Sequence, residues 1–233
     1  PSPGDLFLLK DAASTLEDIA QTSGESFYRG NLARAIANCA SEQGGAMSYE
    51  DLASHQPQWV KPISQSYRGR TIHELPPNGQ GIAALIALGV LEHFDVRQYP
   101  VDSVDSIHLQ VEAMKLAFSD VSCHLADSEA MCIDFRDMID PGYLKRRACQ
   151  IDMTRSRCPK TGIENCGGTV YLAAADSDGM MVSYIQSNFK GFGSGVVVPG
   201  TGITLNNRGH GFRVQEGHPN CVEGGKKPYH TII

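Results

Sequence analysis

A threonine that follows two glycines is the residue of this sequence with the clearest chemical potential. Thr169 comes after Gly167 and Gly168 and directly before an apolar, strand-like run that begins at Val170. A threonine hydroxyl is a weak nucleophile near neutral pH unless a base lies beside it, and a freed α-amine on the same residue can be that base. Glycine at position 168 favours cleavage there, because a strained peptide bond forms most easily without a side chain. The pattern therefore fits a precursor that cleaves itself to expose Thr169 as a new N-terminus.

Spacing alone leaves other interpretations of this stretch open. A β-branched residue such as Thr169 is also an ordinary way to open a strand. Cys166 lies just upstream, but the local sequence offers no lysine, arginine or histidine that would activate its thiol, so we expect it to be passive. The glycine-rich run from Gly191 to Gly195 lacks the Gly-Lys-Ser/Thr ending and the following helix of a phosphate-binding loop. It predicts a tight loop and not a nucleotide site.

Two other sets of residues invite a functional interpretation and do not support one. His108 and Glu112 lie four residues apart on a predicted helix, which is a spacing that metal pairs use. No third ligand is evident, so we predict no metal site and interpret both residues as part of a capped, solvated helix face. Trp59 is interpreted as a packing anchor.

Four motifs occur in the order found in one enzyme family. They are the stretch 165–207 and the upstream segments Asp51–Val60, Tyr67–Pro77 and His108–Phe118. Essentially the whole chain thereby resembles the γ-glutamyltranspeptidase family of N-terminal-nucleophile hydrolases. The resemblance implies an α+β fold, namely a four-layer αββα sandwich that is incomplete in this chain. It also implies that residues 1–168 are the C-terminal part of a large subunit and residues 169–233 the N-terminal part of a small subunit.

The resemblance also implies a reaction for Thr169. In this family the precursor is cleaved before the nucleophile, here between Gly168 and Thr169. The threonine then attacks an amide, and water or an amine releases the acyl-enzyme. Ser187 stands where the family has a hydroxyl that hydrogen-bonds the nucleophile; a serine that ends a strand and caps a turn is the alternative. The family uses no metal in catalysis, and no cofactor is expected.

The substrate pocket departs from the transpeptidase pattern. The family has a glutamine and an aspartate where this chain has Arg208 and Gly211, and the aspartate holds the substrate α-amino group. Arg208 could pair with a substrate carboxylate, although a solvated loop arginine is an equal alternative. The pattern resembles the acylase-like branch, so glutaryl-type or cephalosporin-type amides rival γ-glutamyl transfer and glutathione hydrolysis. The substrate-binding positions implied by the resemblance are Phe189 in place of an asparagine, Asn207, Arg208, and His230 with Thr231 in place of a serine pair.

Composition limits the classes of partner. The chain has 233 residues, of which 41% are hydrophobic and 20% charged, with a formal net charge of -6. This composition is typical of a folded chain and gives no reason to expect nucleic acid or an anionic membrane as a partner. No apolar run approaches transmembrane length. The expected partners are a small-molecule amide substrate and the remaining segments of a parent α/β heterodimer.

The ends and the cysteines lead to further expectations. The sequence starts without methionine and stops within an apolar run, so we expect an internal fragment that is inactive alone. The family's oxyanion-hole glycines and a carboxylate-binding arginine would lie outside residues 1–233.

Seven cysteines without a Cys-x-x-Cys pair favour reduced thiols and, weakly, a cytoplasmic location. A non-catalytic, truncated relic is the alternative to an enzyme.

Periodicity and turn signals predict the elements that position these residues. An apolar stripe along residues 103–121 predicts an amphipathic helix that packs through Val104, Ile107, Val111, Met114, Phe118 and Val121. Ser48–Asp51 predicts a capping box, Asp140–Gly142 a turn, and Asp176–Gly179 a hairpin turn. The other predicted helices cover residues 11–22, 31–43 and 80–93, and the predicted strands cover 59–67, 69–75, 169–175, 181–187, 195–198 and 202–206.

Overall fold

The computed structural model describes residues 2–157 and 170–232. These residues form two compact units. The first comprises residues 2–59 and 170, together with Gln186–Asn207, and the second comprises residues 60–157, Tyr171–Ile185 and residues 208–232.

The first unit begins with four helices, of which the first and third agree with the helices predicted at residues 11–22 and 31–43, whereas the second was not predicted. The predicted capping box before the fourth helix is confirmed, since the backbone N–H of Asp51 donates to Oγ of Ser48 (3.2 Å) and the backbone N–H of Ser48 donates to the Asp51 carboxylate (2.8 Å). Two orphan donors of the first turn are satisfied in this way. The helices are α1 (Lys10–Gln21), α2 (Glu25–Arg29), α3 (Asn31–Glu42) and α4 (Tyr49–Ser54).

A small core joins these helices to the end of the first unit. Ile36 and Cys39 of α3 are buried together with Val198. Val198 belongs to a short antiparallel pair of strands, β5 (Val197–Val198) and β6 (Ile203–Thr204). The turn between these strands is fixed on α1, because the Thr15 hydroxyl donates to the carbonyl oxygen of Thr201 (2.8 Å).

The second unit is built around α5 (Gly81–Leu91). Nine of its eleven residues are buried, and it lies within the helix predicted for residues 80–93. Its neighbours are α6, α7 and the hairpin of β1 and β2, in which Ile63 pairs with Glu74 and Tyr67 with Arg70. The elements of this core are α6 (Val104–His124), α7 (Pro141–Ala148), β1 (Ile63–Tyr67) and β2 (Arg70–Glu74), with 3-10 turns at Val96–Gln98, Phe135–Ile139 and Arg208–Gly211.

The face on which α6 packs agrees with the prediction only in part, since Val121 is buried and Met114 and Phe118 pack against the core. Of the apolar stripe, Val104 is 83% exposed and Ile107 and Val111 are about half exposed. Leu109, Ala113 and Ala117 are fully buried instead. Small side chains permit close helix approach, so the two alanines contribute to the buried contact of α6 together with Leu109 and Val121.

Two carboxylates on α6 are also buried, which apolar periodicity cannot reveal. Asp120 forms an ion pair with Arg147 of α7 (2.5 Å). Burial raises the pKa of Asp120, while the Arg147 charge opposes that rise. Glu112 accepts from Lys115 (2.5 Å) and from the Ser156 hydroxyl (3.0 Å), so the prediction of a solvated face at Glu112 was wrong.

The predicted turn at Asp140–Gly142 is the start of a helix. Asp140 is the N-cap of α7 and its carboxylate accepts the backbone N–H of Tyr143 (2.9 Å), while Pro141 occupies the first helical turn. Asp and Pro favour both a turn and a helix start, so the local signal is ambiguous.

The prediction that Trp59 is a packing anchor was wrong, because its side chain is fully exposed.

A hairpin occupies residues 170–186, as predicted. Strands β3 (Val170–Ala175) and β4 (Met181–Gln186) pair, and Gly179 in the turn has φ +85°. The Asp176 carboxylate accepts the backbone N–H of Met180 (2.9 Å) and closes the turn. The mixed α+β class is therefore confirmed. In the part of the chain described, the strands form three separate two-stranded sheets, and the four-layer sandwich stays a prediction.

The predicted tight loop lies between β4 and β5. Gly193 donates its backbone N–H to the carbonyl oxygen of Lys190 (2.9 Å), and Ser194 donates to that of Leu205 (2.9 Å). Gly193 has φ +74°, and a Cβ there would lie 2.5 Å from the carbonyl oxygen of Leu205. Both the conformation and the close approach thus require glycine.

Two alanine substitutions in this loop distinguish the cost of a positive φ from the cost of the close approach to Leu205. We expect Gly193→Ala to destabilise the full-length protein by about 2–4 kcal/mol, because left-handed strain and overpacking add. Gly195→Ala is the matched control, since Gly195 has φ +77° but open space around it, and we expect a loss of about 1 kcal/mol. Urea unfolding measures both free energies. Equal losses would show that the close approach to Leu205 is unimportant.

Candidate active site

The predicted nucleophile and cleavage site lie outside the described residues. Gly168, Thr169 and Cys166 fall between residue 157 and Val170. Strand β3 starts at Val170, directly after Thr169 in the sequence. The roles given to these residues stay predictions.

Ser187 follows the last residue of β4 and is half-buried. The backbone N–H of Phe189 donates to its hydroxyl oxygen (2.8 Å). This bond is the turn-capping role weighed as an alternative, and it fixes where the hydroxyl lies. A hydrogen bond from Ser187 to the nucleophile stays a prediction.

Phe189 adopts a backbone conformation that is rare for its type. Its φ is +79°, in the left-handed region, and its half-buried ring lies 5.8 Å from the ammonium group of Lys190. A bulky residue with positive φ is strained by about 1–3 kcal/mol. Asparagine, which the transpeptidase pattern has here, tolerates this region better. Such strain commonly marks functional sites, which supports placing Phe189 in a binding region.

Asn207 holds the glycine-rich loop in place. Its amide nitrogen donates to the carbonyl oxygens of Lys190 (3.3 Å) and Gly193 (3.0 Å), and its side-chain oxygen accepts the backbone N–H of Lys190 (3.0 Å). Both amide hydrogens of the side chain therefore point to loop carbonyls. These bonds give Asn207 a role in positioning the loop, and a direct contact with substrate stays a prediction.

The other predicted binding residues belong to the second unit. Arg208 begins a 3-10 turn, Arg208–Gly211, and is half-buried. The backbone of His230 is bonded on both sides, since its N–H donates to the carbonyl oxygen of Asn78 (3.0 Å) and its carbonyl accepts from Gln80 (2.9 Å). His230 and the following Thr231 are thereby fixed beside residues 78–80.

The imidazole of His230 is neutral near pH 7. Burial, reinforced by the positive charge of Arg208, lowers the pKa of His230 to about 4. The backbone N–H of Ile232 donates to its Nδ1 (3.3 Å), so Nδ1 must be unprotonated and Nε2 carries the hydrogen. Burial lowers the pKa of Arg208 as well, but an arginine remains charged. This part of the site therefore presents a cation and a neutral N–H donor.

Asn220 supports this arrangement and was not identified from the sequence. It is 3% exposed; its amide donates to the carbonyl oxygen of Gly211 (2.7 Å) and its side-chain oxygen accepts the backbone N–H of Tyr229 (2.9 Å). The Tyr229 hydroxyl is buried against Gln80, and burial raises its pKa to about 12. Asn220 follows Pro219 in a polar stretch, a pattern typical of a surface turn, so no sequence signal distinguishes it.

His108 and Glu112, whose spacing resembles that of a metal-binding pair, are hydrogen-bonded to other parts of the chain. His108 Nε2 lies 2.9 Å from the carbonyl oxygen of Asp152, and Glu112 is bonded to Lys115 and Ser156. Within residues 2–157 and 170–232, no group of three or more His, Cys, Asp or Glu side chains is arranged to hold a metal ion. Nor does any helix of the described chain combine the length and apolar character that a membrane crossing needs.

Comparison with known proteins agrees with this fold and these motifs. The family model for gamma-glutamyltranspeptidase matches residues 1–233. The glutathione hydrolase-like YwrD proenzyme of Bacillus subtilis is 35% identical over 233 residues, which cover 100% of this chain and 44% of that protein. The oxamate amidohydrolase proenzyme of Klebsiella pneumoniae is 34% identical over 232 residues, covering 100% of this chain and 43% of that protein.

A solved structure extends the comparison to three dimensions. The cephalosporin acylase from Bacillus halodurans is 46% identical, with a TM-score of 0.92 over 100% of this chain and 42% of that chain. The chain belongs to the gamma-glutamyltranspeptidase family, whose members include glutathione hydrolases and acylases. It spans less than half the length of the relatives that it matches.

Replacing Phe189 tests whether its conformation is strained. We expect Phe189→Asn to raise the free energy of unfolding by about 1 kcal/mol, because asparagine tolerates positive φ. Phe189→Leu is the control that removes the ring but retains the strain, and it should bring no gain. Urea unfolding of the full-length variants gives the comparison. A gain with leucine that matched the gain with asparagine would contradict the assignment of strain.

The low pKa of His230 predicts a pH dependence of stability. An unfolded histidine has a pKa of about 6.5, whereas that of folded His230 is about 4. As the pH falls through this interval the unfolded state binds the proton first, so stability decreases between about pH 6.5 and 4. We expect His230→Gln to remove this component. Urea midpoints at pH 7 and pH 5 for wild type and variant measure it, and parallel losses in both would contradict it.

Proposed function

We propose that the complete protein is a self-processing amide hydrolase and acyltransferase that uses Thr169 as its nucleophile. The observation that carries the proposal is a threonine behind Gly167-Gly168 in a chain that the family model matches from end to end. The names of two relatives identify them as proenzymes, which supports a processed precursor. Strand β3 begins at Val170, the residue that follows Thr169 in the sequence, which supports the proposal.

Maturation would proceed in two steps. The Thr169 hydroxyl attacks the carbonyl carbon of Gly168, the Gly168–Thr169 C–N bond breaks, and the acyl group moves from nitrogen to oxygen. Water then hydrolyses the ester and leaves a carboxylate on Gly168 and a free amine on Thr169. Residues 1–168 and 169–233 would then belong to separate large and small subunits, which the remaining parent segments complete to a four-layer αββα heterodimer.

Turnover would use the same hydroxyl. Its oxygen attacks the amide carbon of the substrate while the Thr169 α-amine accepts the hydroxyl proton. That proton passes to the departing amine, and water or an acceptor amine releases the acyl group. Ser187, held in place by its bond from Phe189, would donate a hydrogen bond to the Thr169 oxygen.

The acyl group distinguishes two forms of this function. A γ-glutamyl group would make the protein a transpeptidase or glutathione hydrolase, as the family label suggests. The cation at Arg208 and the absence of a carboxylate at position 211 favour the second form, an acylase for glutaryl-type or cephalosporin-type amides. The 46% identity with a cephalosporin acylase supports the same choice.

Intact mass spectrometry of the full-length protein tests the proposed maturation. We expect wild type to give two chains that separate between Gly168 and Thr169, and Thr169→Ala to stay uncleaved, because alanine lacks the attacking oxygen. Thr169→Ser is the matched control that retains a hydroxyl and should still be cleaved. Cys166→Ala should be cleaved like wild type.

The same samples distinguish the alternatives. A folded wild-type protein that stayed in one piece would contradict self-processing and favour a non-catalytic relic. Cleavage and amide hydrolysis that survived in Thr169→Ala but not in Cys166→Ala would assign the chemistry to the cysteine instead.

A further inference from the structure

One buried side chain joins the two segments that carry Arg208 and His230. Asn220 donates to the carbonyl oxygen of Gly211 at the end of the Arg208–Gly211 turn (2.7 Å). Its side-chain oxygen accepts the backbone N–H of Tyr229, the neighbour of His230 (2.9 Å). A carboxamide with a donor and an acceptor is suited to bridge a carbonyl and an N–H in this way. Asn220 therefore sets the spacing between the guanidinium-bearing turn and the imidazole-bearing segment.

The two segments are so close that position 211 has no room for a side chain. A Cβ at Gly211 would lie 2.6 Å from the carbonyl oxygen of Tyr229, a distance that side chains do not adopt without movement of the backbone. The transpeptidase pattern has its ammonium-binding aspartate at this position. In the present fold an aspartate there would force the two segments apart.

Asn220 is itself fixed from several sides. Its backbone N–H donates to Nδ1 of His218 (3.0 Å), and its carbonyl accepts the backbone N–H of Arg213 (2.9 Å). His218 and Arg213 both bind Ser122 near the end of α6, at 3.0 Å and 2.9 Å. The bridge is therefore tied to the core helix of the second unit, which limits how far Arg208 and His230 can move apart.

We propose that Asn220 is a positioning residue that holds Arg208 and His230 together as a binding pair for a carboxylate on the acyl group of the substrate. The substrate class is an amide whose acyl chain ends in a carboxylate and bears no ammonium group, as in a glutaryl amide. This inference rests on the proposed function and gives the acylase form a recognition mechanism.

The chemistry of the pair favours that class. The Arg208 guanidinium can bind a carboxylate through two parallel hydrogen bonds, and the Nε2–H of His230 adds a third donor. An ammonium group on the acyl chain would be repelled by Arg208, and Gly211 has no side chain that could accept its hydrogen bonds. Exclusion of γ-glutamyl groups therefore results from both repulsion and a missing acceptor.

Three chromogenic amides, tested as substrates of the matured full-length protein, measure this selectivity. We expect kcat/KM for glutaryl-p-nitroanilide to exceed that for neutral butyryl-p-nitroanilide and for γ-glutamyl-p-nitroanilide. In Asn220→Ala the ratio of glutaryl to butyryl kcat/KM should fall by about ten- to a hundredfold. This is the effect expected when the displaced pair loses one hydrogen bond to the charged carboxylate of the substrate. The loss should appear mainly in KM, because the pair binds the acyl chain and not the reacting atoms.

A double-mutant cycle shows whether Asn220 acts through Arg208. Arg208→Gln should lower the same ratio, and adding Asn220→Ala to it should lower the ratio little further, since the pair is already lost. Asp120→Asn is the matched control, because Asp120 is a buried polar residue of the same unit whose partner is Arg147. It should lower stability without changing the ratio.

Other outcomes would overturn the inference. They are a preference of wild type for the γ-glutamyl amide, or an unchanged ratio in both Asn220→Ala and Arg208→Gln. If the protein were uncleaved or hydrolysed none of the amides, the proposed function would fail separately. Calorimetric titration with glutarate would then test whether Arg208 and His230 bind a carboxylate. We expect weaker binding to Asn220→Ala and Arg208→Gln than to wild type, and equal binding to all three would contradict the inference.

Discussion

In each unit, the irregular segment that holds predicted site residues depends on an asparagine carboxamide that binds its backbone. Residues 187–232 have little regular secondary structure, so their polar backbone groups need partners from side chains. Asn207 supplies them for the loop that contains Gly193, and Asn220 supplies them between Gly211 and Tyr229. An apolar residue at either position would leave partly or fully buried backbone groups without a partner, at a cost in stability. A few polar contacts therefore determine the conformation of these two segments.

Close packing also determines the electrostatics of Arg208 and His230, the predicted binding residues of the second unit. Arg208 and His230 are near enough that the guanidinium charge helps to keep the imidazole neutral. A neutral imidazole can donate through Nε2 because the backbone N–H of Ile232 occupies Nδ1. Burial and the Arg208 charge therefore keep the ring neutral, and the backbone bond to Nδ1 fixes which ring nitrogen carries the hydrogen.

Local signals predicted most elements but not the functions of individual buried polar residues. Helices α1, α3, α5 and α6, the capping box at Ser48 and the turn at Gly179 were predicted because each depends on neighbours in the sequence. Helix α2 was not predicted, and the start of α7 was predicted as a turn. The packing face of α6 and the bridge formed by Asn220 depend on residues far away in the chain. Periodicity measures apolar content, so it misses a contact made by alanines and carboxylates such as Ala113 and Asp120. The substrate positions stay predictions from the family resemblance, while only the structure shows that Gly211 is crowded by Tyr229.

The two departures from the transpeptidase pattern at Arg208 and Gly211 act together on charge. Relative to the transpeptidase pattern, Arg208 adds one positive charge in place of a glutamine and Gly211 removes one negative charge in place of an aspartate, a change of two unit charges. Either change alone would leave a pocket in which a zwitterionic acyl group could still find a partner for one of its charges. In the proposed binding pair both together would oppose an ammonium group and favour a carboxylate, and the approach of Tyr229 leaves no room for the aspartate side chain. The charge of the acyl group, more than its length, is therefore the property by which this pocket would discriminate.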